Sequence, residues 1–138
     1  AFGYFNSDND NQLVLQNVAR SLKDGGYFVL DLLNPLNKIN QLTYKQENIL
    51  EKSSEFTVDE KQYTAHETLD LLTMRWENTI VSKNSKVVEF HSNTRLYTLV
   101  EIANGIAQAG LKYTDAYGGF HGEPYTPESK RLIVVSKK

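Results

Sequence analysis

Apolar residues recur at helical spacing over Leu13, Val14, Val18, Ala19 and Leu22, which predicts a helix over about 10–22 with Asn9 or Asp10 capping its first turn. Gly25 and Gly26 tolerate the positive φ that ends such a helix. The unbroken run Tyr27 to Leu33 then predicts a strand covered on both faces, as in a parallel sheet. Asn34-Pro35 stops that strand, and a short helix is expected over 36–42. From 49 to 97 the pattern changes to period-two alternation in a background rich in Thr, Ser, Glu and Lys. Met74, Trp76, Asn78 and Ile80 share one face, as do Val88, Phe90, Thr94 and Leu96. An antiparallel meander follows, with strands near 49–56, 62–69, 74–81 and 87–97 and turns at 70–73 and 82–86.

The last segment returns to helical spacing. Thr98-Leu99-Val100-Glu101 is a capping box, Leu99, Ile102, Ala103 and Ile106 form an apolar stripe, and Gly110 ends the helix predicted over 98–109. Strands at 111–117 and 131–136 flank a loop bearing glycine and proline, which makes them an antiparallel pair.

Composition narrows the function classes. The 138 residues include 40% hydrophobic and 11% aromatic side chains, enough for a folded core. A net charge of −2 gives no basic footprint, so neither nucleic acid nor an anionic membrane is expected as a partner. A small molecule fits better. The absence of cysteine removes thiolate chemistry and disulfides and suits a reducing compartment. No apolar run reaches the roughly 18–20 residues of a membrane span, and no signal-peptide pattern opens the chain, so a cytoplasmic setting is expected. There is no Gly-x-Ser-x-Gly elbow, P-loop, Gly-x-Gly-x-x-Gly fingerprint or outstanding carboxylate pair.

A resemblance adds to this reading. Phe2-Gly3-Tyr4-Phe5-Asn6, Lys23-Asp24-Gly25-Gly26 before a buried strand, Arg95-Leu96-Tyr97-Thr98 before a helix, Ala109-Gly110-Leu111 after it, Tyr117-Gly118-Gly119-Phe120, Tyr125-Thr126-Pro127-Glu128-Ser129 and the run Arg131 to Lys137 follow one another in an order that resembles class I S-adenosylmethionine-dependent methyltransferases of the small-molecule subgroup. The resemblance covers nearly the whole chain and corresponds to the C-terminal half of such enzymes. One departure is Asp24, where proline is usual. The resemblance implies an α/β fold: the C-terminal half of a Rossmann-like seven-stranded sheet with an inserted antiparallel β lid. Residues 1–48 would be core (helix, strand five, short helix), 49–97 the lid and substrate subdomain, and 98–138 the return to the core with strands six and seven. It also implies S-adenosylmethionine as cofactor, a small-molecule methyl acceptor, and a glycine-rich cofactor loop in a missing N-terminal half, without which the fragment is inactive. A sheet cut beside Tyr27 to Leu33 invites self-association through 27–33. The rival reading is a non-enzymatic α+β module that binds a small ligand between the meander and helix 98–109.

Site candidates follow from the same two sources. Ligands of open α/β sheets sit beyond the carboxyl ends of strands, which directs attention to Phe2 through Asn6 and to Asp31, Asn34 and Pro35. By resemblance, Phe2, Gly3 and Tyr4 border the cofactor's methyl group, with Gly3 allowing close backbone approach and Tyr4 offering a ring face to the cation. Tyr4, Phe5, Asn34, Trp76 and Arg95 are the substrate-binding candidates. The alternatives are that Phe2 and Phe5 are core aromatics, Trp76 is strand packing, and Arg95 is half of an ion pair rather than an anchor for a carboxylate or phosphate. His66, His91 and His121 lack ligand spacing, and no metal site is expected. No obligatory catalytic residue can be carried over, because the general base varies among such enzymes; His91 is the candidate from the lid.

Overall fold

The computed structural model describes residues 2–138, which fall into two compact units, one of residues 2–38 and 96–138 and the other of 39–95. The first unit contains helix α1 (Asp8–Ser21), strand β1 (Tyr27–Leu33), helix α2 (Pro35–Gln41, which runs on into the second unit), helix α3 (Leu99–Gln108) and strands β7 (Lys112–Tyr117) and β8 (Arg131–Lys137). The second holds β2 (Thr43–Gln46), β3 (Ile49–Val58), β4 (Lys61–Asp70), β5 (Arg75–Ser82) and β6 (Val88–Arg95). No helix among the described residues is long and apolar enough to cross a membrane.

In the first unit the strands run in the order β1-β8-β7, antiparallel at both junctions. Leu30 and Ala116 flank Val134, and Leu32 faces Leu132, so one face of this sheet is continuous with Leu15 and Ala19 of α1 and Ile102 and Ile106 of α3 in a single core. The helices approach closely at Gly105. A Cβ there would stand 2.8 Å from Gln12 Oε1, and Gln12 Nε2 donates to the Gly105 carbonyl at 2.9 Å. The capping box at Thr98 and Glu101 is present, and Gly110 takes the positive φ after α3.

Three expectations are corrected. Ser7, not Asn9 or Asp10, caps α1, its hydroxyl accepting the Asp10 N–H. Gly25 has positive φ, but the turn needs Gly26 for space: a Cβ would lie 2.8 Å from the Lys23 carbonyl oxygen. The strand over 27–33 is not buried on both faces of a parallel sheet; it pairs antiparallel with β8 at the end of the sheet, and Tyr27 and Val29 are 61% and 58% exposed. A continuous apolar run fixes neither strand direction nor how many faces are covered.

The second unit is a five-stranded antiparallel sheet in the order β2-β3-β4-β5-β6, the expected meander with one strand more. All four residues of β2 are exposed, so it carries no alternation to find. A register shift between Ile80 and Val81 moves Val88 opposite Val81, out of the row of Phe90. Asp70 closes the turn between β4 and β5, accepting from Leu72 N–H at 2.8 Å and from Asn48 Nδ2 at 2.6 Å. Those bonds, the Leu72 amide first, hold its carboxyl below the usual aspartate range.

Candidate functional site

The segment entering α1 is held by a chain of polar groups that runs from the buried Gly3, Asn11 and Tyr97 out to the exposed Asp8. Gly3 adopts φ 93°, and its N–H donates to Asn11 Oδ1 at 3.0 Å. Asn11, 0% exposed, donates through Nδ2 to the Tyr97 hydroxyl at 3.0 Å, which in turn donates to Asp8 Oδ1 at 2.6 Å. Phe2 turns inward, its ring 5.1 Å from that of Tyr97 and packed on the core. Tyr4 and Phe5 point outward, 52% and 48% exposed. Of the three residues expected to border a cofactor, Phe2 therefore supports the loop from below, Gly3 is a pinned turn, and Tyr4 is the one with an exposed ring. Asn11, Tyr97 and Asp8 escaped the sequence reading as site residues; the signal was a polar residue, Asn11, on the apolar stripe of a helix.

Asn34 is buried, and its side chain is fully used. Nδ2 donates to the carbonyls of Thr126 and Ser129 at 3.0 and 2.8 Å, while Oδ1 accepts from Leu36 N–H at 3.1 Å and the Tyr125 hydroxyl at 2.7 Å. Burial raises the Tyr125 phenol pKa, which keeps it a donor. Asn34 thus fastens loop 118–130 to the end of β1. In that loop Gly118 leaves no room for a Cβ, which would collide with Ser129 Oγ and lie 2.6 Å from the Pro124 carbonyl oxygen, whereas at Gly119 a Cβ would meet only the movable carboxylate of Glu123. Asp31 is engaged by Arg131 Nη1 at 2.9 and 3.0 Å, and the guanidinium also lies over the Phe120 ring.

In the meander Trp76 is 9% exposed, and its indole N–H donates to Glu67 Oε1 at 3.0 Å. Leu50, Leu69, Trp76 and Thr94 form one row across four strands, all buried. Residues directly opposite in an antiparallel ladder share a face. Arg95 lies opposite Arg75, and His91 opposite Thr79, so both belong to the other face from Trp76. His91 Nδ1 is 3.0 Å from Thr79 Oγ1 and Nε2 is 3.9 Å from Glu77; His66 repeats the arrangement with Ser53 at 2.8 Å and Glu51 at 3.9 Å. A groove of about 360 Å³ on α1, lined by Val14, Asn17, Val18, Ser21 and Leu22, contains none of the candidate residues.

No protein-family model matches the sequence. Over 132 residues the chain is 28% identical to the cypemycin N-terminal methyltransferase of a Streptomyces species, covering 91% of this chain and 49% of that protein. The fold matches the CcbJ methyltransferase from Streptomyces caelestis with a TM-score of 0.76 at 17% identity, over 98% of this chain and 56% of that one. The chain is similar to class I S-adenosylmethionine-dependent methyltransferases. An S-adenosylmethionine-dependent methyltransferase from Clostridium acetobutylicum matches with a TM-score of 0.61 at 14% identity, over 98% of this chain and 53% of that one. The chain spans about half the length of these methyltransferases. With the two solved structures it shares an α/β fold, and both of the sheets that this chain forms are antiparallel.

Proposed function

We propose that this chain is the acceptor-side half of a small-molecule methyltransferase that uses S-adenosylmethionine, with β1, β7 and β8 extending a larger Rossmann-like sheet. The observation that carries the reading is the 28% identity to a methyltransferase, spread over 91% of the chain. Fold likeness alone would not carry it, since one fold serves many chemistries. In this reading the glycine-rich loop for the cofactor belongs to the part of the relatives that the chain does not match.

S-adenosylmethionine, when bound, supplies an already activated methyl group, which leaves the protein to orient the acceptor and exclude water. Tyr4 fits the cofactor's sulfonium, because its ring is half exposed on a loop whose backbone is fixed by the Gly3–Asn11–Tyr97 network. Phe2 fits only as the packing beneath that loop. Trp76 would wall the acceptor. The outer edge of β1 would pair with a neighbouring strand, from the rest of the enzyme or from a second copy; sedimentation of the 138-residue chain separates a dimer from a monomer.

The test has two arms. The intact protein, given S-adenosylmethionine labelled in the methyl group and a panel of small amines and alcohols, should transfer label to one of them. Calorimetry of the 138-residue chain with S-adenosylmethionine should show no measurable binding. Absence of transfer by the intact protein removes the methyltransferase reading, and micromolar binding by the chain alone removes the assignment of the cofactor loop.

A further inference from the structure

The Trp76 face of the meander carries two oxygens that the fold buries without a partner: Asn78 Oδ1 and Thr94 Oγ1. They belong to one square of side chains. Trp76 and Asn78 stand on β5, opposite Thr94 and Ser92 on β6, and Thr94, Ser92 and Trp76 are only 6%, 9% and 9% exposed. A buried acceptor without a donor is costly, and native proteins contain few of them. Two on neighbouring strands, beside an indole, mark a place where the missing donor comes from outside the chain. The next row along the same face, Ile80 opposite Phe90, is more open, with Phe90 50% exposed.

The chemistry of the square selects the ligand. An amide oxygen has lone pairs and no proton, so Asn78 Oδ1 accepts only a donor, while the Thr94 hydroxyl serves either way. Glu67, opposite Asn78 across β4 and β5, adds the carboxylate that holds the indole N–H at 3.0 Å. Its other neighbour, Lys52 on β3, is exposed. The face of an indole attracts a cation. A carboxylate or phosphate would meet the Asn78 oxygen and the Glu67 charge, both unfavourable. An amine supplies the N–H groups both oxygens lack and the positive charge the ring prefers.

We propose that the Trp76–Asn78–Thr94–Ser92 square binds the amino group of a small amine. Naming that amine as the methyl acceptor rests on the methyltransferase reading; the binding itself does not.

Trp76 is the sole tryptophan, so its emission reports on this square alone. Titration of the chain with n-butylamine at neutral pH should change that emission saturably, whereas n-butyrate of the same length should not. Asn78→Leu and Thr94→Val should each weaken the amine response about tenfold or more, the equivalent of one strong hydrogen bond. Asn78→Asp, which keeps the acceptor, should retain it. Thr94→Val should also raise Tm, since a methyl group needs no partner where the hydroxyl has none. The proposal is overturned by a flat titration, by an equal response to butyrate, by an undiminished response in Asn78→Leu, or by a lower Tm in Thr94→Val, which would mean that the hydroxyl is already satisfied. Methyl transfer is not read here, so a negative result leaves the methyltransferase reading standing.

Discussion

Trp76 and His91 lie on opposite faces of the five-stranded sheet. Trp76 faces Thr94 across β5 and β6, whereas His91 faces Thr79, which is out of phase with Trp76 by an odd number of residues. Side chains alternate along a strand, so an imidazole on one face cannot take a proton from a ligand seated against the other. The same parity separates Trp76 from Arg95, which faces Arg75. The sheet offers an aromatic wall and a basic edge, but not to one ligand.

If Trp76 walls the acceptor, His91 is not its base. On the methyltransferase reading, His91→Gln should leave kcat within about twofold of wild type, whereas removal of a true general base costs about 10²–10⁴. A hundredfold loss in kcat with unchanged folding would contradict the parity argument.

Substitution at Trp76 separates wall from packing. Trp76→Phe keeps a ring and removes the N–H donor to Glu67, so stability should fall by about 1 kcal/mol in chemical denaturation. On the methyltransferase reading, the acceptor KM should rise severalfold while affinity for S-adenosylmethionine is unchanged. Loss of stability with unaltered kinetics would assign the indole to packing only.

Tyr97 ties the start of α3 to the loop that carries Tyr4. Tyr97→Phe leaves the buried Asn11 amide without its acceptor, which costs about 1–3 kcal/mol, and loosens the partner of Gly3 N–H. Faster hydrogen exchange at the Gly3 amide, with α3 still protected, is the expected signature. Unchanged exchange at Gly3 would show that the loop is held by Phe2 alone.

At Asn34 four hydrogen bonds converge on one side chain. Asn34→Ala strands two carbonyls, the Leu36 N–H and the Tyr125 hydroxyl; some will reach water, and a net loss of about 3 kcal/mol is expected. Limited proteolysis should then cut within 118–130. A variant that resists cleavage there would refute the fastening role.

Asp70 makes the turn between β4 and β5 sensitive to acid. Its folded pKa is depressed by the Leu72 amide and the Asn48 side chain, so its contribution is present above the unfolded value of about 3.9 and fades as pH falls through the lower folded one. Leu72 amide exchange should accelerate over that window in the wild type and stay flat in Asp70→Asn. Equal profiles in the two proteins would exclude the carboxylate as the cause.

Local pattern alone determined most of the elements: the capping box placed α3, the alternation placed β3 to β6, and Gly110 ended a helix, because each depends on residues within a few positions of one another. Order and spacing of short motifs carried the likeness to methyltransferases. Tertiary structure decided everything that depends on partners distant in sequence. Strand direction at β1 was set by pairing with β8, about 100 residues away, and an apolar run says nothing of it. The Asn11–Tyr97 bond joins residues 86 apart, and Asn34 is used up by a loop more than 90 residues later, so neither role is written in the neighbouring sequence. Which of Trp76, His91 and Arg95 share a face followed from ladder register, where one residue of phase moves a side chain from one side of the sheet to the other.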